Sequence, residues 1–532
     1  MQPNPTDKPL AVELRGLSKR YGDCISNRHI DLKVAAGSIH AIIGENGAGK
    51  STAMKMLYGM VAPDSGEILV HGVRRCWSSP HEAIDAGIGM VHQHFMLAEP
   101  DTVLENILVG AEPASSFWKW LPRALRPLDD TSARKKLETI STQYGLKVDL
   151  DARVEDLSVG IHQRIEIIKL VYRDADILIL DEPTAVLTPQ ETSELFTHLR
   201  RLRGEGKTIL IITHKLKEVL ELADEATVFR AGETVGHRKI SETNEEDLAS
   251  LMVGRKVNLR IKATHASKVG EPVLEVKSVN LRASNKHEHH GRPLLSSLNL
   301  SVRSGEIVGI AGVEGNGQSE LLQMLLHPHD YRRRASGEIR VLGQTVFGDS
   351  AALSTDAIKS LGVGAIPEDR HRDGLLLNRP IAESFLLGLQ RHSPYSHSGV
   401  ISESVLREKI FKAIEEYDVR PRTLDIEARG LSGGNQQKLI IARELQRDPK
   451  FLIAAQPTRG VDVGAIEFIH GKILDARSRG AGVLLVSSEL DEVMSLSDRI
   501  LVMFDGKIVA EFAHDQADEK TLGRFMGGGG AV

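Results

Sequence analysis

The chain has 532 residues, 41% of them hydrophobic, and a net charge of −5; length alone admits roughly two to four domains with ordinary apolar cores. The charge comes without a concentrated basic block, which argues against a nucleic-acid partner held mainly by phosphate neutralisation. Cys24 and Cys76 offer neither a disulfide framework nor metal-ligand spacing, MQPNPTDKPL lacks a secretion-signal core, and no run approaches the roughly 18 to 20 apolar residues of a membrane span, so a reducing cytoplasm is expected.

From the N-terminus, alternation between Val12 and Leu17 predicts a strand, and the apolar residues 39–43 predict a second. GENGAGKST follows, placing Gly44, Glu45, Asn46, Gly47, Ala48, Gly49, Lys50, Ser51 and Thr52 before a helix-prone stretch that ends at Leu57. Strand, glycine-rich loop and helix in that order are the context a P-loop needs. Loop amides and the helix N-terminus point at phosphate, Lys50 reaches the β and γ phosphates, and Ser51 ligates magnesium. Tyr21 is a candidate for stacking on adenine, and Gln93 stands in a loop before a helical insert. Residues 117–128, with Trp118, Trp120, Pro122 and Arg126, are expected to pack on that helical part, because aromatic residues at helical spacing face cores more often than partners. ILILDEP then ends a buried strand on Asp181 and Glu182. A first carboxylate there holds magnesium through water, and a second orients or deprotonates the attacking water. After the strand 208–212 comes ITH, whose His214 is placed to contact the γ-phosphate.

Residues 256–271 are polar, lack apolar periodicity and read as a linker. The same frame then begins again with a strand from Val273 to Val279. His287, His289 and His290 lie in a polar insertion and read as a solvated loop rather than a metal site. The loop recurs as GVEGNGQSE, where Gln318 replaces the lysine and Glu320 the second hydroxyl residue. A neutral amide supplies no cation. Glu368 matches Gln93, FLIAAQP puts Ala455 and Gln456 where the carboxylates stood, and Ser488 matches His214. The halves also end alike, DLASLMVGR and KTLGRFMGG bringing Met252 and Met526 into register. Short apolar strands separated by helical segments predict a mostly parallel sheet covered on both faces in each half, an α/β fold with domains at 10–255 and 272–528.

With the strings LSVGIHQ (157–163) and LSGGNQQ (431–437), the chain resembles the ATP-binding cassette (ABC) family over nearly its whole length. The resemblance implies two fused ABC nucleotide-binding domains. Each would have a P-loop (RecA-like) α/β core, a helical signature subdomain and an N-terminal antiparallel β subdomain, with ATP and Mg2+ as cofactors. It implies that Ser51, Asp181 and Gln93 serve the metal, that Gln93, Glu182 and His214 serve hydrolysis, and that the opposite half closes the site through Ser432, Gly433, Gly434 and Asp462. Paired head to tail, one composite site keeps every group. The other combines Gln318, Glu368, Ala455, Gln456 and Ser488 with a signature altered at Val159 and Ile161, and Thr188 takes the place matching Asp462. Hydrolysis is therefore expected once per chain.

HQHFMLAEPDTVLENI, DEPTAVLTPQE, IPEDRHRDGL and AAQPTRGVDVGA are similar to the importer ATPases of simple-sugar and nucleoside uptake, the nucleoside-type branch above all. That implies two transmembrane permease subunits, a solute-binding (lipo)protein acting indirectly, no nucleic acid, and a peripheral place on the cytoplasmic face of the inner membrane. The alternative is a tandem cassette acting on ribosomes, which usually carries a long charged helical linker and two catalytic sites. A DNA-repair cassette needs zinc modules that two cysteines cannot build.

Overall fold

The computed structural model describes residues 9–22, 24–92, 95–113, 129–184, 187, 189–256, 269–283, 293–349, 351–397, 399–461 and 463–529. Gln93, Thr188, Asp462, the 117–128 segment, the three histidines at 287, 289 and 290, and residues 257–268 lie outside the described residues. The chain forms two compact units, Met1–Val257 and Asn258–Val532.

Among the described residues the first unit has ten strands: β1 (Leu10–Tyr21), β2 (Cys24–Ala35), β3 (Ile39–Gly44), β4 (Ser65–Val70), β5 (Val73–Arg75), β6 (Ile88–Val91), β7 (Ile177–Asp181), β8 (Thr208–Ile212), β9 (Glu225–Arg230) and β10 (Glu233–Lys239). They form an antiparallel sheet of order β2-β1-β4-β5 and a core sheet of order β10-β9-β3-β8-β7-β6. The core sheet is parallel except for β10. The second unit repeats the plan with β11 (Pro272–Leu281), β12 (Leu295–Arg303), β13 (Ile307–Ala311), β14 (Ala335–Val341), β15 (Gln344–Gly348), β16 (Ala351–Ala352), β17 (Val363–Ile366), the hairpin β18 (Ser396–His397) and β19 (Val400–Ile401), β20 (Phe451–Ala455), β21 (Gly482–Ser487), β22 (Arg499–Phe504) and β23 (Lys507–Ala513). Its sheets run β12-β11-β14-β15-β16 and β17-β20-β21-β13-β22-β23.

The sequence of β7 explains the layering. Ile177 and Ile179 join the core under the antiparallel sheet and the helix Lys50–Leu57, whereas Leu178 and Leu180 join the core under the helices. Alternating side chains point to opposite faces, so a strand covered on both sides must be apolar throughout. In β20 Phe451 and Ile453 take one core and Leu452 and Ala454 the other. The repeat extends to an irregularity: the register of β1 slips between Leu14 and Leu17, and that of β11 between Val276 and Val279. The helices Glu245–Val253 and Glu519–Met526 end the units with Met252 and Met526 buried.

The end of the polar segment is bonded to the second unit. The Gly270 amide donates to Ser304 O at 2.9 Å, and the Ser304 amide donates to Glu271 O at 2.9 Å. The last residues of the expected linker already pair with the end of β12, a contact that polarity alone does not reveal.

The second unit also holds a buried ion pair. Arg443 Nε donates to Glu444 Oε1 at 2.8 Å, with the two side chains 4% and 2% exposed. Arg443 Nη1 also donates to Gly374 O at 2.8 Å and Ser384 O at 3.0 Å. Burial pushes the Glu444 carboxyl up, but Arg443, Lys359 and the Ala365 amide outweigh it and hold the carboxyl below its ordinary value. Its stabilising contribution is thus present above the unfolded-state value and is lost as pH falls through the folded one. Arg443→Met is expected to destabilise the second unit by up to about 3–5 kcal/mol near neutral pH, because it removes the nearest cation from a buried carboxylate and leaves it only Lys359 at 3.8 Å and the Ala365 amide. Thermal unfolding checks this, and the deficit should shrink on acidification as Glu444 takes a proton.

Candidate functional site

In the first unit, β3 leads through residues 44–49 into the helix Lys50–Leu57, whose N-cap Gly49 is left-handed at φ 92°. A Cβ on Gly49 would lie 2.5 Å from Asn27 Nδ2 and from Ser26 O. The loop is backed from β2, since Asn27 Nδ2 donates to Gly49 O at 3.0 Å and Ser26 Oγ donates to Thr52 Oγ1 at 2.9 Å. Asn27 and Ser26 were not legible in the sequence. They come from a different strand, and only the tertiary fold brings them to the loop.

Lys50 is 6% exposed. Its ammonium donates to Gly44 O at 2.7 Å and to Glu45 O at 3.0 Å, bridging the start of the loop. Burial lowers its pKa, and the carboxylates of Glu182, Asp181 and Glu45 oppose that shift. An anion above the loop would work with the carboxylates to keep the ammonium charged.

Asp181 and Glu182, adjacent in sequence, are driven apart by their surroundings. Burial at the end of β7 raises the Asp181 carboxyl, and a hydrogen bond from the Ser51 hydroxyl counters it. Glu182 is held low by its hydrogen bond to His214, against the effect of burial. His214 Nδ1 and Glu182 Oε1 are 3.0 Å apart. The ionised form is thus favoured at Glu182 and disfavoured by burial at Asp181, which stands beside a hydroxyl where a divalent cation would stabilise it. Ser51 and Asp181 offer the hard oxygen donors magnesium prefers, and one or two protein ligands beside phosphate and water suffice for that ion. Tyr21 is exposed, with Lys19 Nζ over its ring at 5.7 Å from the centroid.

The second unit keeps this geometry without its charges. Gln318 Nε2 donates at 3.2 Å to Val313 O, five residues back, as Lys50 does to Glu45 O. Gln318 Oε1 is buried without a hydrogen-bond partner among the described residues. Gln456 Oε1 accepts from the Ser488 amide and from Ser488 Oγ, both at 3.1 Å, where Glu182 meets His214. Glu182 and Gln456 share a left-handed backbone, φ 49° and 44°. Ala455 ends β20 in place of Asp181, and Ser319 Oγ donates instead to Glu368 Oε2 at 2.8 Å. That last pairing was not anticipated.

The two signatures differ in the same sense. Ser432 caps the helix Gly433–Leu445, its Oγ accepting from the Asn435 amide at 3.4 Å and from Asn435 Nδ2 at 2.8 Å. Ser158 starts the helix Val159–Tyr172 with no side-chain cap among the described residues. Of the expected site residues, Lys50, Ser51, Asp181, Glu182 and His214 meet around one loop. Ser432, Gly433 and Gly434 lie together in the other unit.

The ABC transporter family profile matches residues 27–185 and 295–459. The chain is 45% identical to the guanosine import ATP-binding protein NupO of Bacillus subtilis strain 168, over 97% of each chain. It is 42% identical to the nucleoside import ATP-binding protein NupA of Lactococcus lactis, over 97% of this chain and 98% of that one. Identity to the glucose import ATP-binding protein TsgD13 of Haloferax volcanii is 43%, over 98% and 96%.

The His214–Glu182 contact is directly testable. Removing the imidazole leaves burial as the main influence on the carboxyl, so His214→Ala is expected to raise the Glu182 pKa above its wild-type value. A 13C NMR titration of glutamate side chains, with Glu182→Gln to assign the signal, checks it. An unchanged titration would show that the contact does not set the charge.

Proposed function

The chain belongs to the ABC transporter family, and on that footing we propose that it is the ATP-binding and hydrolysing subunit of an importer for nucleosides or simple sugars. The observation that carries hydrolysis is the intact charged set of Lys50, Asp181, Glu182 and His214 in one unit, against Gln318, Ala455, Gln456 and Ser488 in the other. Full-length similarity to proteins named for nucleoside and glucose import supports the direction and class of transport. The glucose relative lies between the two nucleoside relatives in identity, so uptake must decide the solute. A ribosome-acting cassette has no observation in its favour.

We assign the nucleotide-binding domains to residues 10–255 and 272–528, joined by 256–271. Lys50 and the amides of residues 44–49 take the β and γ phosphates, Thr52 closes the loop end against Ser26, and Tyr21 stacks on adenine. Magnesium, when bound beside Ser51, Asp181 and Gln93, supplies a Lewis acid that neutralises charge on the phosphate oxygens. Glu182, ionised and aimed by His214, accepts the proton of the attacking water, and His214 holds the γ-phosphate side of that water. Ser432, Gly433, Gly434 and Asp462 close the site from the other domain, so ATP draws the halves together and hydrolysis releases them. The second loop holds nucleotide without turnover or serves as structure.

No described helix is long and apolar enough to cross a membrane. Transport therefore requires membrane partners. Two permease subunits matching the two domains, fed by a solute-binding lipoprotein, would hold the chain at the cytoplasmic face, and the permeases would contact the solute.

Glu182→Gln should lower turnover about 10²- to 10⁴-fold, the range of a lost general base, while ATP stays bound. Lys50→Ala should weaken ATP binding itself. Gln318→Lys alone should leave the second unit inactive, because Ala455 and Gln456 remain. The deciding experiment is uptake of labelled nucleosides, pentoses and galactosides by cells expressing the chain with its neighbouring permease genes. Nucleoside uptake abolished by Glu182→Gln supports the leading reading, sugar uptake moves the solute class, and uptake of neither overturns the importer reading.

A further inference from the structure

A guanidinium in the second unit joins three segments around the intact signature. Arg370 lies four residues past the end of β17 and opens the helical turn Arg370–Gly374, which Asp369 caps through the His371 and Arg372 amides at 2.8 and 3.1 Å. Its Nη1 donates to Arg459 O at 2.8 Å, and its Nη2 reaches Gly460 O at 3.5 Å. These carbonyls belong to the loop that leads from Gln456 to Asp462. The same Nη2 lies 2.9 Å from where a Cβ on Gly433 would stand, and Gly460 O is equally close to that point. The first residue of the signature helix is therefore glycine because a guanidinium and a carbonyl occupy the space. Beside this contact, His371 Nε2 is hydrogen-bonded to Gln436 Oε1 at 2.9 Å, and Gln436 Nε2 donates to Ala428 O at 3.2 Å. The segment after Glu368 is thus fastened both to the signature helix and to the following loop.

The first unit has a different arrangement at the matching positions. Four residues past the end of β6 stands Phe95, whose ring meets His162 edge-on at 5.8 Å, and His162 Nε2 is hydrogen-bonded to Val154 O at 2.8 Å. The residue matching Gly433 is Val159. Within one chain, arginine accompanies the intact signature and phenylalanine accompanies the altered one. A phenyl ring cannot donate to carbonyls.

We propose that Arg370 is a positioning residue for hydrolysis: it ties the loop at residues 459–460 to the first turn of the signature helix, so that Ser432, Gly433 and Gly434 are presented as one rigid edge. The inference rests on the reading above, in which this signature closes over ATP held by Lys50. Charged hydrogen bonds to two carbonyls set both distance and direction, which a lysine ammonium does only in part. The hydrogen bonds of Arg370 go to backbone carbonyls of its own unit, so its effect is on closure. The affinity of the Lys50 loop for nucleotide is independent of it.

The test uses the full chain assembled with its permeases in the Glu182→Gln background, where ATP is bound but not cleaved. ATP retained after rapid dilution reads closure, and ADP affinity reads the Lys50 loop without it. Arg370→Ala should shorten ATP retention about tenfold, the order expected for a lost charged hydrogen bond, with ADP affinity unchanged. Arg370→Lys should fall between, which guards against a folding defect in the alanine variant. Ser432→Ala is the comparator. Full retention in Arg370→Ala with loss in Ser432→Ala would overturn the assignment of Arg370 and leave the signature reading standing. An equal fall in ADP affinity would make Arg370 merely structural and overturn the proposal. Full retention in Ser432→Ala would overturn the signature reading itself.

Discussion

The site depends on a turn at the end of one strand. Beyond β7 the chain enters a left-handed conformation at Glu182, fixed by the Glu182 amide donating to Ile212 O at 2.9 Å across to β8. A side-chain-bearing residue in that region costs on the order of 1–3 kcal/mol and persists only where the surroundings over-determine it. Here the cost is met by a buried parallel sheet whose neighbouring strands leave little freedom. The turn carries the carboxylate out of the sheet edge and toward His214, which follows β8, so two adjacent strand ends set one hydrogen bond. Asp181, one residue earlier, still belongs to the strand and faces Ser51. Two neighbouring carboxyls thereby receive opposite environments from a single change in backbone direction.

The second unit separates shape from charge. Gln456 makes the same turn, its amide donating to Val486 O at 2.7 Å, and its side chain meets Ser488 where Glu182 meets His214. The backbone device is preserved while the counterparts of the lysine, both carboxylates and the histidine are neutral. Folding alone accounts for the preservation, because the turn, the parallel register and the cores on either face are needed for the sheet to close. Chemistry is free to differ, since an amide satisfies the same hydrogen bond without offering a base. The inactivity we assign to this unit therefore follows from protonation chemistry and needs no collapse of the loop.

Much of this was legible in the sequence because the phosphate loop, the carboxylate strand and the histidine are each local strings with fixed neighbours. Asp181 ends a buried strand and Lys50, Glu182 and His214 each follow one, and an apolar run that must be covered on both faces announces a parallel strand and hence what its C-terminal end can carry. The contacts that support the site were not legible. Asn27 reaches Gly49 from an adjacent strand, Thr184 donates to Glu218 at 2.7 Å across 34 residues, and Arg370 meets Arg459 and Gly460 across nearly 90. Such pairs have no periodicity to betray them. The bonds of Gly270 and Glu271 with Ser304 were hidden for a related reason, since both residues lie in a segment that is polar in sequence.

The central claim is that one chain cleaves one ATP at a time because only the first unit holds a base. The most direct measurement is an acid-quenched first turnover of the chain assembled with its permeases at saturating ATP and magnesium, counting phosphate formed per chain before steady state. The account predicts a count that approaches one and never exceeds it. A count approaching two would mean that Gln456 and Ser488 support hydrolysis, and the division of labour argued from their chemistry would be wrong.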